Sequence, residues 1–320
     1  MEIRQLKYFI RIVELGSMSR AAADLFIAQP ALSQQMVHLE SELNVKLLAR
    51  SVRGVTPTEA GSVFYRHAQA VLRQLERMRE DVQSVTEDPC GVVSIGMPTS
   101  VANILAAPLM LAMQSRYPKI QLRITESLSG HLEELIANGR LELSVLFGRE
   151  RQSSHLTVRP LVNEQLFFVC AQRHGHSSAG RLTLEDAARE RFILPSKSNA
   201  TRQLIERIFS ERNLDLQIAA ELDSLSTIAS VVSKGLGATI TSLSAVAADL
   251  TAGKLVALPL EGGTVSRLVS LCTYDIVALS APAQRVAELI PLVVHELLDS
   301  GEWRGATAAP QLAEFAAAVA

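Results

Sequence analysis

IAQPALSQQMVHLE, residues 27–40, carries glutamine or serine at positions 29, 33, 34 and 35 and leucine or methionine at 32, 36 and 39. With Leu43, the apolar set recurs at helical spacing and defines one stripe. Pro30 sits where proline is tolerated, in the first turn of a helix running to about Leu43. The polar set is too rich for a helix wrapped by core on all sides. Taken alone, the stretch admits two readings. One is a solvated face on a three-helix bundle. The other is a helix whose N-terminal residues meet base edges, since glutamine can pair bidentately with adenine and serine can donate to or accept from several bases.

The flanks decide between them. Upstream, Ile3, Leu6, Phe9, Ile10 and Val13 predict a helix over 3–15 that ends at Gly16. Ser17 or Ser19 can cap a second, alanine-rich helix, and a turn at 27–29 leads into the third. Two helices joined by a tight turn form a helix-turn-helix, whose second helix presents its N-terminal residues to the major groove. Downstream, LLARSVRGVTPTEAG (47–61) reads as a strand, a turn at Arg53-Gly54, a return strand and a helix start. That is a β-wing. Lys46, Arg50 and Arg53 have no acid among them, and the two arginines suit phosphate or the minor groove. A hairpin charge cluster is usually mere solvation, but directly after the helix pair it favours DNA.

Thr56-Pro57-Thr58-Glu59 fits a capping box with proline at the first helical position. It starts a helix to about Val85. Phe64, Ala68, Val71, Leu75, Met78, Val82 and Val85 are spaced alternately by four and three, a coiled-coil seam. Arg66, Arg73, Arg77, Arg79 and Glu80 occupy the opposite face, which leaves a narrow stripe suited to a partner helix rather than to the helix's own domain. A dimer would set two reading heads on one duplex.

The 320 residues suggest two or three folding units, and 48% hydrophobic with 20% charged residues describes a globular chain with a sizeable core. No apolar run is long enough to span a membrane, and the N-terminus lacks a signal peptide's apolar region, so a cytoplasmic protein is expected. Net charge is −2, and residues 1–87 hold 11 Lys/Arg against 10 Asp/Glu, so DNA affinity must come from a local patch. Cys90, Cys170 and Cys272, odd in number and far apart, exclude a disulfide framework or a four-cysteine zinc site and read as buried inert thiols. His174 and His176 near Cys170 lack a second ligand pair. Gly235 and Gly237 follow a helix and precede a strand, the reverse of a dinucleotide loop. No G-x-S-x-G motif is present. No cofactor or metal is expected.

TEDPCG (86–91) reads as a linker, after which strands and helices alternate. Strands are expected over 92–96, 120–125, 141–147, 165–171, 192–194, 217–222, 238–241, 255–260 and 265–274, with helices over 101–117, 130–138 and 281–299 among others. This α/β region is too long for one small doubly wound unit and suits two. The alanine-rich tail after 304 reads as loosely ordered.

The N-terminal 60 residues, above all LKYFIRIVELGSMSRAAADLFIAQPALSQQMVHLESELNVKLLARSVRGVTPTEAG (6–61), resemble LysR-type transcriptional regulators, in particular the nitrogen-assimilation-control subgroup. The resemblance continues more weakly over most of the chain. It implies a winged helix-turn-helix (1–58), a linker dimerisation helix (59–87) and a two-lobed α/β effector domain of periplasmic-binding-protein type (88–300). Lobe 1 would comprise about 91–162 and 267–300, lobe 2 about 163–266, with a tail at 301–320. It implies promoter DNA as partner, a dimer or dimer of dimers, contact with RNA polymerase, and no enzymatic activity. DNA contacts would fall at Gln29, Pro30, Ser33 and Gln34, with Arg50 and Arg53 in the wing. A small anionic or polar effector would meet Thr99, Ser100, Ser127, Ser129, Ser196, Ser198, Asn199 and Thr201, where strands end and helices begin. For any one of these, plain helix capping is the commoner role. Two departures from the family pattern, Glu142 for aspartate and Ser242 for proline, are expected near the cleft's working edges. The alternative is a cytosolic small-molecule-binding protein or enzyme whose N-terminal helices mediate protein contacts.

Overall fold

A computed structural model describes residues 1–51, 54–84, 89–148, 156–172, 180, 182–261, 265–274, 278–310 and 312, without the side chains of 73, 76, 77 and 79–84. Arg53, Val85, the side chains of Arg73, Arg77, Arg79, Glu80 and Val82, residues 86–88 of the linker, His174, His176 and residues 313–320 therefore lie outside the described residues. The chain divides into two units, the first built on residues 1–87 and the second on the remainder (residues 137–140 aside).

In the first unit, α1 (Ile3–Leu15) ends at Gly16 with φ +60°, as expected; it buries Leu6, Phe9 and also Ile12, while Ile10 and Val13 are half-buried and Ile3 is exposed. Ser17 caps α2 (Met18–Asp24). Helix α3 (Gln29–Leu43) buries Leu32, Met36 and Leu39 against both, while Leu43 is exposed. Strands β1 (Leu48–Ser51) and β2 (Gly54–Pro57) pair antiparallel as the wing. The wing is seated by a close approach: the Val55 N–H donates to the Gly16 carbonyl at 2.9 Å. A Cβ on Gly54 would lie 2.5 Å from that same oxygen, and its φ of +126° also requires glycine.

The cap of α4 (Glu59–Ser84) falls two residues later than the motif predicts. Thr56 pairs with Ala49 in the hairpin and Pro57 ends β2, so Thr58 takes the role, its Oγ1 accepting from the Gly61 N–H at 3.0 Å. The seam on α4 also divides. Phe64 packs edge-on against Phe9, with ring centroids 5.0 Å apart, and Ala68 is buried. Val71 and Met78 are 46% and 53% exposed. The first turns close on α1, and only the later ones present an uncovered stripe.

Glu40 holds the exit from α3. Its side chain accepts from the Leu47 and Leu48 amides at 2.9 and 3.1 Å and from Lys46 Nζ at 2.7 Å. Burial pushes this carboxyl up, but the Lys46 and amide hydrogen bonds outweigh it and hold it below the ordinary range. Such a group stabilises the fold above its unfolded value and loses that contribution as pH falls through its folded value. Glu40→Ala is expected to cost about 1–3 kcal/mol for each amide left unpaired. The gap between wild type and Glu40→Gln in urea midpoint should close as pH drops below about 4.3. A gap that stays constant with pH would remove the charge from this account.

Among the described residues, the second unit contains a six-stranded sheet, a four-stranded sheet and a two-stranded pair. The first, in order β14-β6-β13-β5-β3-β4, joins β3 (Gly91–Met97), β4 (Ile120–Glu126), β5 (Leu143–Phe147), β6 (Leu156–Gln165), β13 (Ser266–Tyr274) and β14 (Ala306–Ala308). Helices α5 (Thr99–Arg116) and α11 (Ala281–Asp299) contribute to one core cluster and α6 (Ser129–Ala137) to another. The second sheet, β11-β7-β12-β8, joins β7 (Phe167–Ala171), β8 (Leu182–Thr183), β11 (Thr239–Thr241) and β12 (Leu255–Glu261). A pair, β9 (Phe192–Leu194) and β10 (Ile218–Glu221), meets β11 through a bridge from Phe192 to Ala238. Helices α7 (Leu184–Ala187) and α8 (Ala200–Glu211) pack in one cluster here, and α9 (Leu225–Ser233), with α10 (Ala247–Thr251), in the other. The chain passes between sheets twice, from β6 to β7 and from β12 to β13. The Leu166 N–H donates to the Val265 carbonyl at 2.7 Å and ties the two crossings together.

Two sequence expectations fail here. No strand is expected over 156–164, yet β6 is an interior strand between β13 and β14. Its Pro160 sits opposite Ser270 at a register shift, the kind of irregularity to which proline is confined within sheets. The tail is not loose as far as residue 310: β14 pairs with β6, and Trp303, Ala309 and Leu312 are buried. Cys170 and Cys272 are buried and Cys90 only half so. Burial, with the charge of Glu190 adding, pushes the Cys170 thiol up to about 11, so it is inert at neutral pH.

Candidate functional site

On α3, Gln29, Pro30 and Gln34 are exposed and Ser33 is half-buried. Arg50 reaches across from β1, its Nη2 donating to Ser33 Oγ at 2.9 Å. Wing and helix head thus form one surface. Gln35 does not belong to it: Gln5 Nε2 donates to its Oε1 at 3.2 Å, which fixes α1 to α3. Nor is Lys46 a free cation of the patch, because Glu40 holds it. Two apolar side chains that the sequence reading passes over also stand exposed here, Phe26 and Val37.

In the second unit, a cavity of about 60 Å³ is lined by residues of both larger sheets, Phe147 and Arg267 from one and Ile240 and Thr241 from the other. Helices α5, α6 and α8 begin at its wall. Thr99, Ser100, Ser127, Ser129, Asn199 and Thr201 line it, six of the eight residues expected there. Ser196 and Ser198 do not. The Ser196 N–H donates to Asp223 Oδ1 at 2.9 Å, and its hydroxyl shares a 3.0 Å hydrogen bond with that of Ser198, which opens onto a wider neighbouring groove. Asn199 is a plain helix cap, accepting from the Thr201 and Arg202 amides. The Ser129 hydroxyl is buried and, among the described residues, has no hydrogen-bond partner.

The floor is built by residues outside the expected set. Arg267 on β13 is 7% exposed and stacks over the Phe147 ring, 3.6 Å from its centroid. Its guanidinium donates to Glu164 Oε2 from Nε (2.9 Å) and Nη2 (2.7 Å). It also reaches Thr201 Oγ1 at 2.6 Å, Ser100 Oγ at 2.9 Å and Ser242 Oγ at 3.2 Å. Glu164, fully buried, accepts on its other oxygen from Ser244 Oγ at 3.0 Å and Trp303 Nε1 at 3.1 Å. Both charges are therefore matched, as burial demands. One network connects α5, α8, both sheets and the ordered tail. At the rim, the Ser196 amide and hydroxyl hold the Asp223 carboxyl below the usual carboxylate range.

Of the two departures from the family pattern, Ser242 does not line the cavity but lies behind its floor, fully buried and accepting from Arg267 Nη2 at 3.2 Å. Nor does Glu142 line it. It accepts from Ser280 Oγ at 2.9 Å and the Ser94 amide at 3.4 Å, and so bridges β3 to the start of α11.

Comparison with known proteins agrees over both units. Residues 3–62 match the model for bacterial regulatory helix-turn-helix proteins of the lysR family, and residues 86–291 match the LysR substrate binding domain. The chain is 34% identical to the nitrogen assimilation regulatory protein nac of Escherichia coli (strain K12), over 95% of this chain and 99% of that one. Its fold is similar to full-length OxyR from Pseudomonas aeruginosa, with TM-score 0.71 and 22% identity over 92% and 95% of the two chains. It is also similar to full-length CbnR complexed with its target DNA, with TM-score 0.64 and 20% identity over 92% and 100%.

Proposed function

Because the chain belongs to the LysR family, and is thus a DNA-binding transcriptional regulator with an effector-binding domain rather than an enzyme, we propose the following division of labour. Residues 1–58 read promoter DNA in the cytoplasm, residues 59–87 pair two copies, and residues 88–300 sense a small molecule. Gln29, Pro30, Ser33 and Gln34 meet base edges in the major groove, and Arg50 and Arg53 engage the backbone or the adjacent minor groove. The observation that carries this is the joined surface of α3 and wing, where Arg50 and Ser33 lie within one hydrogen bond. Two such dimers associate and contact RNA polymerase. No helix among the described residues is long and apolar enough to cross a membrane.

The effector binds between lobe 1 (about 91–162 and 267–300) and lobe 2 (about 163–266), on Thr99, Ser100, Ser127, Ser129, Asn199 and Thr201, with Ser196 and Ser198 at the rim. The charge balance favours a small polar molecule over an anion. Arg267 already has its counter-charge in Glu164, and Asp223 adds a negative charge at the edge. Its binding shifts the two lobes, and with them the spacing the DNA heads impose.

Gln29→Ala and Ser33→Ala are each expected to cost about 1–3 kcal/mol of discrimination and to relax base preference. Wild-type affinity should fall steeply with salt as phosphate contacts release counterions. A mobility-shift titration against promoter and random duplexes reads both. If both variants bind both duplexes as the wild type does, α3 is not the reading helix.

A further inference from the structure

The exposed face of α3 carries more than amides and hydroxyls. Pro30, Ser33, Gln34 and Val37 stand at i, i+3, i+4 and i+7, one stripe opposite the buried Leu32, Met36 and Leu39. Val37, at the far end of that stripe, is 51% exposed. Before the near end, in the turn joining α2 to α3, Phe26 is 94% exposed, the most exposed large hydrophobic side chain among the described residues. Its φ of +55° lies in the left-handed region, which an aromatic residue seldom adopts. The turn is nonetheless fixed. The Phe26 N–H donates to the Ala23 carbonyl at 3.2 Å, and the next amide, that of Ile27, donates to the Ala22 carbonyl at 3.0 Å. A disfavoured backbone conformation thus holds a phenyl ring in solvent, with no burial within the chain to offset it.

We propose that Phe26 and Val37 are base-reading residues that pack on thymine C5-methyl groups, flanking the polar head at Gln29–Gln34. The inference rests on α3 being the major-groove helix. In that groove the thymine methyl is the one apolar feature a base pair presents, and phenyl and small aliphatic side chains are its natural contacts. Neither residue can touch phosphate productively, so their contribution is to sequence preference and not to the electrostatic part of binding.

The test uses the full chain and a duplex that it selects from a random-sequence pool. Each thymine of that duplex is replaced singly by uracil, which keeps every hydrogen-bonding group and removes only the methyl. Wild type is expected to lose about fourfold in affinity at a contacted thymine, the effect of exposing one methyl. Phe26→Ala should bind thymine and uracil duplexes equally at one such position and Val37→Ala at another, with the salt dependence of both unchanged. Both side chains are exposed, so both variants should melt as the wild type does. The proposal is overturned if every uracil duplex binds wild type within twofold of the parent. It is equally overturned if each variant keeps the full thymine–uracil difference, or loses affinity alike on both duplexes, which would mark a protein-packing role. A chain that selects no duplex at all would instead remove the DNA-reading assignment on which it rests.

Discussion

Arg267→Ala is expected to destabilise the second unit by about 3–5 kcal/mol, the scale set by stripping one partner from a buried ion pair. The effect follows from what remains. Glu164 is fully buried and would keep only Ser244 and Trp303, while the hydroxyls of Ser100, Thr201 and Ser242 lose a common donor. The pair's net worth is a separate question, because desolvating two charges offsets much of their attraction. Arg267→Met combined with Glu164→Leu removes both charges together and should cost less than Arg267→Ala alone, a coupling that a double-mutant cycle measures. Trp303 is the single tryptophan of the chain and donates to Glu164, so its fluorescence during urea unfolding reports on this network directly. Two variants of equal stability, both close to wild type, would show that the pair carries no such burden.

That network was the least legible feature of the sequence. Arg267 and Glu164 are 103 residues apart; Arg267 lies in a strand where one charge passes for an outward-facing residue, and Glu164 in a stretch where no strand is expected. The available signal was the run VSRLVSLCTY: a lone arginine inside an apolar strand needs a partner when buried, but spacing cannot say which acid supplies it. The same limit hid β6, whose Pro160, Asn163 and Glu164 read as loop until a bulge and a neighbouring β14 accommodate them. The first unit was far more legible because its contacts are local. Helix spacing and Gly16 located α1, and Ser17 capped α2 as its hydroxyl suggested. Even there, periodicity could not tell that Gln35 turns inward to Gln5 while Gln34 stays in solvent. Nor could it show that the α4 seam divides, since Phe64 and Ala68 carry the same pattern as Val71 and Met78. Around the cavity, the family resemblance, which puts ligand contacts where strands end and helices begin, names six residues that line it. The other two, Ser196 and Ser198, lie just before the α8 start, outside the cavity lining, and bond to Asp223 and to each other.

The division of α4 leads to the second large effect. Val71→Glu combined with Met78→Glu is expected to convert the proposed dimer to a monomer and to weaken promoter binding by about 10²–10⁴-fold, the gain that linking two binding heads confers. Both positions are about half exposed within one chain, and with the half-buried Leu75 between them they repeat at four and three residues along one face. A second copy of the same helix would cover them through knobs-into-holes packing, and two glutamates facing their own copies would oppose it by like-charge repulsion and desolvation. The fold of the reading head should survive, because Phe64 and Ala68, which close α4 onto α1, are untouched. Sedimentation separates monomer from dimer. Mobility shifts on duplexes with one and two half-sites then separate lost pairing from lost reading: the variant should bind both duplexes alike and weakly, while wild type strongly prefers two half-sites. A variant that stays dimeric and keeps that preference would place the pairing surface elsewhere in the chain.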